Sequence, residues 1–175
     1  VTHSYENKTS SPLVRTVTLS ATNSIGCINA TPVSIPVTIF PEIIADYTLK
    51  IDSVCSPVRV TLENNSLNGT TFNWNFTPTA GGIPISRIKA KADPAFSELL
   101  YNTLPNADVT YTIDLTASTN HTIRTCTSGP VTKTVTVSPE LLLNFTPIPA
   151  AVCSDLPINF DNLSSGGTLN YTWDF

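Results

Sequence analysis

The sequence has no methionine, two histidines (His3 and His121) and few charges. Charged residues make up 13% of the chain, about half the share usual in globular domains. The nine Lys and Arg residues are scattered, and the formal net charge is −4. Clustered cations are therefore missing, which argues against a nucleic-acid or anionic-membrane surface. No apolar run approaches the roughly 18 residues of a spanning helix, so no membrane insertion is expected. The four cysteines never fall in C-x-x-C spacing, which removes the zinc-ribbon and thiol-redox readings. No Ser/His/Asp order, glycine-rich phosphate loop or paired catalytic carboxylates stand out. The two histidines have no second histidine near them, so metal binding or base catalysis is not expected at either. The chain reads as a non-enzyme without a cofactor. It begins on "VTHSYEN" with no start signal, and the expectation is an internal segment of a longer exported protein.

Polarity comes instead from Thr, Ser and Asn. Thr suits strands because its branched Cβ packs on a pleated surface. Fourteen Pro, seven Gly and 41% apolar residues describe an all-β chain, whereas a disordered one would lack that apolar content.

The chain repeats itself. Cys27 recurs as Cys126 at an offset of 99, Cys55 as Cys153 at 98, and Trp74 as Trp173 at 99. Pro41-Glu42 recurs as Pro139-Glu140, and "TVTLSATN" (16–23) as "TIDLTAST" (112–119) at 96. The period is about 98 residues, the size of one β-sandwich domain. Its register predicts one full copy over 41–139 and two partial copies. Residues 1–40 are the C-terminal part of one repeat, and residues 140–175 the N-terminal part of a third. "YTWDF" (171–175) is then an interior strand of a domain continued elsewhere.

Within 41–139, period-2 alternation predicts strands at 46–51, 58–64, 71–76, 83–90, 109–118 and 131–137. Asp93 followed by Pro94 signals a short helical turn near 93–97, with a further strand after it. Seven or so strands around a buried Trp on the third describe an immunoglobulin-like sandwich. Trp74 and Trp173 are read as core anchors, because the flanking Phe and Tyr share their face. The linkers "FPEIIA" and "SPELLL" offer apolar residues that could pack between domains.

"NNSLNGTTFNWNF" and "DNLSSGGTLNYTWDF" resemble the front half of PKD (polycystic kidney disease-type) repeats, whose third strand reads YxWDFGDG, and "RTVTLSATNSIGC" resembles their penultimate strand and the turn after it. The full copy departs from that pattern, with "TPTAGG" after "FNWNF". Thr-rich copies with one Cys before the second strand and one after the penultimate strand look like the long surface adhesins of gliding bacteria. The resemblance implies an extracellular cell-surface filament, exported by type IX secretion and used in adhesion or gliding motility. Its implied partners are neighbouring repeats of the same polypeptide, the secretion and motility machinery, and surface polysaccharide reached through other domains. The alternatives are a glycan- or surface-binding module and an accessory domain of a secreted hydrolase.

Candidate sites are few. Asp155, Asp161 and Asp174 could hold calcium, which wants six to eight oxygens. The full copy has Ser56, Glu63 and Asn75 at the matching places, so that acidic set is not repeated. "DSV" (52–54) resembles the O-glycosylation acceptor of the same bacteria, which makes Ser53 a candidate. Nine Asn-X-Ser/Thr sequons, at Asn7, Asn29, Asn64, Asn68, Asn75, Asn120, Asn144, Asn162 and Asn170, matter only if the source glycosylates Asn. Cys55 falls in the turn at one end of its sandwich and Cys126 in a hairpin at the other. Strands of six or seven residues put those ends roughly 20 Å apart, beyond the ~7 Å Cα separation a disulfide tolerates. The expectation is disulfides between neighbouring repeats. Cys55 would reach forward and Cys126 backward, and Cys27 and Cys153 are their counterparts in the partial copies.

Overall fold

A computed structural model describes residues 1–29, 31–90, 93 and 95–175. The elements among them are all strands. The middle of the chain forms two facing sheets. One holds β3 (Tyr47–Ile51), β4 (Val58–Asn64) and β7 (Ala95–Leu100), in the order β3-β4-β7. The other holds β5 (Thr71–Pro78), β6 (Ile85–Ala90), β8 (Val109–Asn120) and β10 (Val131–Val137), in the order β10-β8-β5-β6. The short β9 (Thr125–Thr127) folds back on the end of β8. Every pairing of these strands is antiparallel. The arrangement is an immunoglobulin-like β-sandwich.

The sequence pattern explains the core. In β4, Val58, Val60 and Leu62 alternate with more accessible residues. In β8, Val109, Tyr111, Ile113, Leu115 and Ala117 do the same over most of its length. In β5, Phe72, Trp74 and Phe76 point the same way. These side chains meet between the sheets in one buried cluster. Trp74 is fully buried, with Tyr47 and Phe96 edge-on at centroid distances of 5.0 and 5.2 Å. The Tyr111 hydroxyl donates to Tyr101 O and accepts from Ile83 N, both at 2.8 Å. A tyrosine near the start of this strand, tied to backbone upstream, is a recurrent device of immunoglobulin-like folds.

The helical turn expected near 93–97 does not form over its second half, since Ala95, Phe96 and Ser97 belong to β7. Pro94, which carried that expectation, lies outside the described residues. Pairing with β4, Phe96 opposite Leu62 and Ala95 opposite Glu63, overrides the local cap signal.

Two further hairpins flank the sandwich. β1 (Leu13–Leu19) pairs with β2 (Val33–Ile39), and β11 (Phe145–Ile148) pairs with β12 (Asn159–Asn162). Their registers reproduce pairings of the middle sandwich. Leu13↔Ile39 stands 96 and 98 residues before Val109↔Val137, and the same holds through Leu19↔Val33 and Leu115↔Val131. Tyr47↔Asn64 and Phe145↔Asn162 differ by 98 on both strands, as do the outlying bridges Ile44↔Leu67 and Leu142↔Ser165.

Candidate functional site

A shallow hollow on the middle sandwich, lined by Arg59, Arg87, Glu98 and Tyr101, holds the Arg87–Glu98 ion pair, and the stretches that join the sandwich to the flanking hairpins carry further contacts. The first junction runs through Phe40 to Glu42. The Phe40 ring stacks on His121, which lies in the turn between β8 and β9, with centroids 3.6 Å apart and planes 9° from parallel. A chain of hydrogen bonds follows. Glu42 N donates to Asn7 O at 2.9 Å, the Asn68 side-chain amide donates to Glu42 O at 2.7 Å, and Thr119 Oγ1 donates to Asn68 O at 2.8 Å. The linker is thus fixed to the flanking segment on one side and to the β4–β5 and β8–β9 turns on the other. Asn68 holds φ at 59°, a left-handed conformation that Asn tolerates better than most residues.

The apolar residues after Pro41 behave differently from expectation. Ile43 and Ala45 join the core of the middle sandwich itself, where packing between domains was expected of them. Only their backbone neighbour Ile44 is exposed, bridging to Leu67.

At the second junction, Ser138 N donates to Val54 O at 2.8 Å and Ser56 N donates to Ser138 O at 3.0 Å. Gly166 occupies the place 98 residues after Asn68. A Cβ there would lie 2.8 Å from both Glu140 O and Leu141 Cα, and its φ is +131°. Where the first junction uses an amide side chain to reach the linker carbonyl, the second brings the backbone itself against it.

A buried asparagine accompanies each closing strand. The Asn102 amide donates to Ala107 O at 2.8 Å and to Val137 O at 2.9 Å, and its Oδ1 accepts from Leu104 N at 2.8 Å. The Asn7 amide donates to Ser11 O at 2.9 Å and to Ile39 O at 2.8 Å, and its Oδ1 accepts from Thr9 N at 3.0 Å. Ile39 and Val137 are register equivalents, so the same side chain clamps the same strand end twice. Asn7 is also a sequon, but with its amide spent and only 4% of its surface exposed it cannot carry a glycan in this fold. Sequence reading missed this pair. The signal was a Tyr followed within two residues by Asn, at Tyr5/Asn7 and Tyr101/Asn102.

The expected sites fall as follows. Cys55 sits in a parallel bridge with Ser138, at the exit of the sandwich, while Cys126 pairs with Thr119 in the β8–β9 hairpin at its entrance. The ten residue steps of β8 from Val109, opposite Val137, to Thr119 span roughly 30 Å at about 3.3 Å each. Cys55 and Cys126 therefore lie too far apart to bond within one sandwich. All four cysteines are free thiols, Cys27, Cys55 and Cys153 exposed and Cys126 half-buried. Ser53 is exposed beside Cys55, its hydroxyl donating to Cys55 O at 3.1 Å. Among the described residues no group of three or more His, Cys, Asp or Glu side chains is placed to hold a metal, so Asp155, Asp161 and Asp174 are not brought together. His3 packs edge-on against Tyr5 at 4.5 Å, far from His121 in sequence and in role.

Trp173 differs from its counterpart Trp74. It is 39% exposed where Trp74 is fully buried. Its edge-on contact with Phe145, at 5.3 Å, reproduces that of Trp74 with Tyr47, and Phe160 and Phe175 gather around it. The β11–β12 hairpin faces it as β3 and β4 face Trp74, but among the described residues no strand pairs beside residues 170–175 as β6 and β8 pair beside β5.

Comparison with known proteins finds no family model, no curated protein and no solved structure that matches the chain.

Proposed function

We propose that the chain is a segment of a structural stalk, a non-catalytic run of tandem PKD-like sandwiches in an exported cell-surface adhesin filament that serves adhesion or gliding motility. The recurrence of strand register is the observation that carries this reading. Seven pairings of β1 with β2 correspond one to one with seven of β8 with β10, at constant offsets of 96 and 98. An active site gains nothing from being copied every ~98 residues, whereas a spacer gains length from each copy.

The junctions support the same reading. A short linker clamped by an aromatic stack and three consecutive hydrogen bonds resists bending more than a free tether would. On this proposal residues 41–139 are one complete unit, 1–40 the back of the preceding one, and 140–175 the front of the next. The partners are neighbouring units of the same polypeptide, and ligand recognition belongs to other domains.

Single-molecule pulling on the full polypeptide tests the stalk. Each unit of about 98 residues should release roughly 300 Å of contour length in one event, at about 3.3–3.6 Å per residue less the folded length. A series of equal steps is expected. Unequal steps, or extension without discrete events, would overturn the reading.

A further inference from the structure

β3 and β10 stand at the ends of their sheets, in opposite layers, on the same open side of the middle sandwich. They run parallel to each other. At the entrance Ala45 N donates to Ser128 Oγ at 3.1 Å. At the exit Ser138 N donates to Val54 O at 2.8 Å, Ser56 N donates to Ser138 O at 3.0 Å, and Cys55 and Ser138 form a parallel bridge. Ala45 and Ser128 are 83 residues apart, and so are Cys55 and Ser138. The segments 45–55 and 128–138 therefore travel in step from one end of the sandwich to the other. Among the described residues no strand ladder joins β3 to β10 between those ends. One side chain crosses there. Lys133 Nζ donates to Tyr47 O and lies over the Tyr47 ring, 4.6 Å from its centroid.

Lys133 is out of place by pattern. It falls in the inward row of β10, with Val131, Val135 and Val137, where the core takes apolar side chains. Its counterpart in β2 is Ile35, 98 residues earlier in the same register. An inward-pointing charge on an edge strand also discourages pairing with foreign strands. That role needs no particular partner, whereas this ammonium is committed to one backbone carbonyl of the unit's first strand.

We propose that these four hydrogen bonds form a shear latch that sets how much tension the middle unit withstands. The inference rests on the stalk reading, which makes tension along the chain the condition the unit meets. The polypeptide enters at the 45 end of the parallel pair and leaves at the 138 end. Tension therefore drags the two segments in opposite directions along their own length. All the ties are strained together, instead of one after another as in an unzipping hairpin. Behind them the antiparallel ladders, β3 with β4 and β10 with β8, anchor each segment to its sheet. Resistance to pulling is then a matter of unfolding rate and not of equilibrium stability.

Force-clamp measurements on the 175-residue chain, with its four native cysteines replaced by serine, test the latch in two pulling geometries. Held by its two ends, the chain loads the latch. Lys133→Met keeps most of the side-chain stem and loses the donor, and Ser128→Ala loses the acceptor at the entrance. Each should raise the middle unit's unfolding rate at fixed force about three- to tenfold, the rate equivalent of one hydrogen bond. Held instead through Ser86→Cys and Ser97→Cys, on β6 and β7 at the opposite open side, the chain leaves the latch unloaded. There the same variants should change the rate less than about twofold. An end-to-end rate unmoved by both variants, or equal acceleration in the two geometries, would overturn the latch. The stalk fails separately, through unequal steps in the longer polypeptide, a readout that does not depend on either variant's rate.

Discussion

Trp74 carries more of the middle core than any other side chain, since burying its indole removes roughly 150–250 Å² from water. Its indole N–H is buried without a hydrogen-bond partner, so the residue is held there by area and not by polarity. Trp74→Ala should destabilise the middle unit by about 3–5 kcal/mol in chemical denaturation. Trp74→Phe loses volume but also removes the unpaired donor, and should cost distinctly less. Equal losses for the two would show that the indole nitrogen matters after all. Tyr47, packed edge-on against Trp74, makes a second prediction. Burial, aided by the negative charge of Asp114 and opposed by the hydrogen bond from Lys133, pushes its hydroxyl from 10.0 up to about 12. That hydroxyl donates to Ile113 O at 2.7 Å, a bond the phenolate could not make. The folded state holds this proton more tightly than the unfolded one. The stability it confers is therefore complete below pH 10 and lost as pH rises from about 10 to about 12, on the order of 2–3 kcal/mol in all. Tyr47→Phe should flatten that alkaline limb; a limb unchanged by the substitution would remove Tyr47 as its source.

Strands were legible wherever alternation was strong. β4 and β10 begin and end where the pattern of apolar residues does, at 58–64 and 131–137. β8 runs two residues past its expected end because β9 pairs with it there, a contact set by a turn and not by apolar spacing. β7 starts where a helical cap was expected, since Asp and Pro report local preference while β4 supplies the partner. Least legible was the polar clamp at the loop before β8. Asn102 looks like any loop asparagine until three dimensions bring Ala107 O and Val137 O to its amide. Asn102→Ala would strip both carbonyls of a partner in a buried position. A loss of about 2–3 kcal/mol is expected, at about 1–3 kcal/mol for each buried group left unpaired and with partial rescue by water. Amide hydrogen exchange should speed up at the end of β10 first; uniform acceleration across the sandwich would mean that the clamp is not local.

Whole units add a covalent question. Cys55 at the exit and Cys126 at the entrance cannot meet within one sandwich, but in the proposed head-to-tail array the exit of one unit would face the entrance of the next. Peptide mapping of a non-reduced longer array should recover a bond from a Cys55-type turn to the Cys126-type hairpin of the following unit. Such a bond would stabilise by about 2–4 kcal/mol through restriction of the unfolded chain. A Cys55–Cys126 peptide from one unit, or thiols fully open to alkylation, would sink it. Trp173 marks what sequence could not settle at this scale. Its motif matches that of Trp74, yet burial depends on neighbouring strands, as β6 and β8 flank β5, that no short motif contains. The central claim, a stiff stalk of tandem sandwiches, is tested most directly by small-angle scattering of a multi-unit polypeptide. A 12-residue β8 sets a unit length of roughly 40 Å at about 3.3 Å per residue. The account predicts a rod whose maximum dimension grows by about that amount with each added unit at constant cross-section. A maximum dimension growing only as the square root of unit number, or a compact globule, would contradict it.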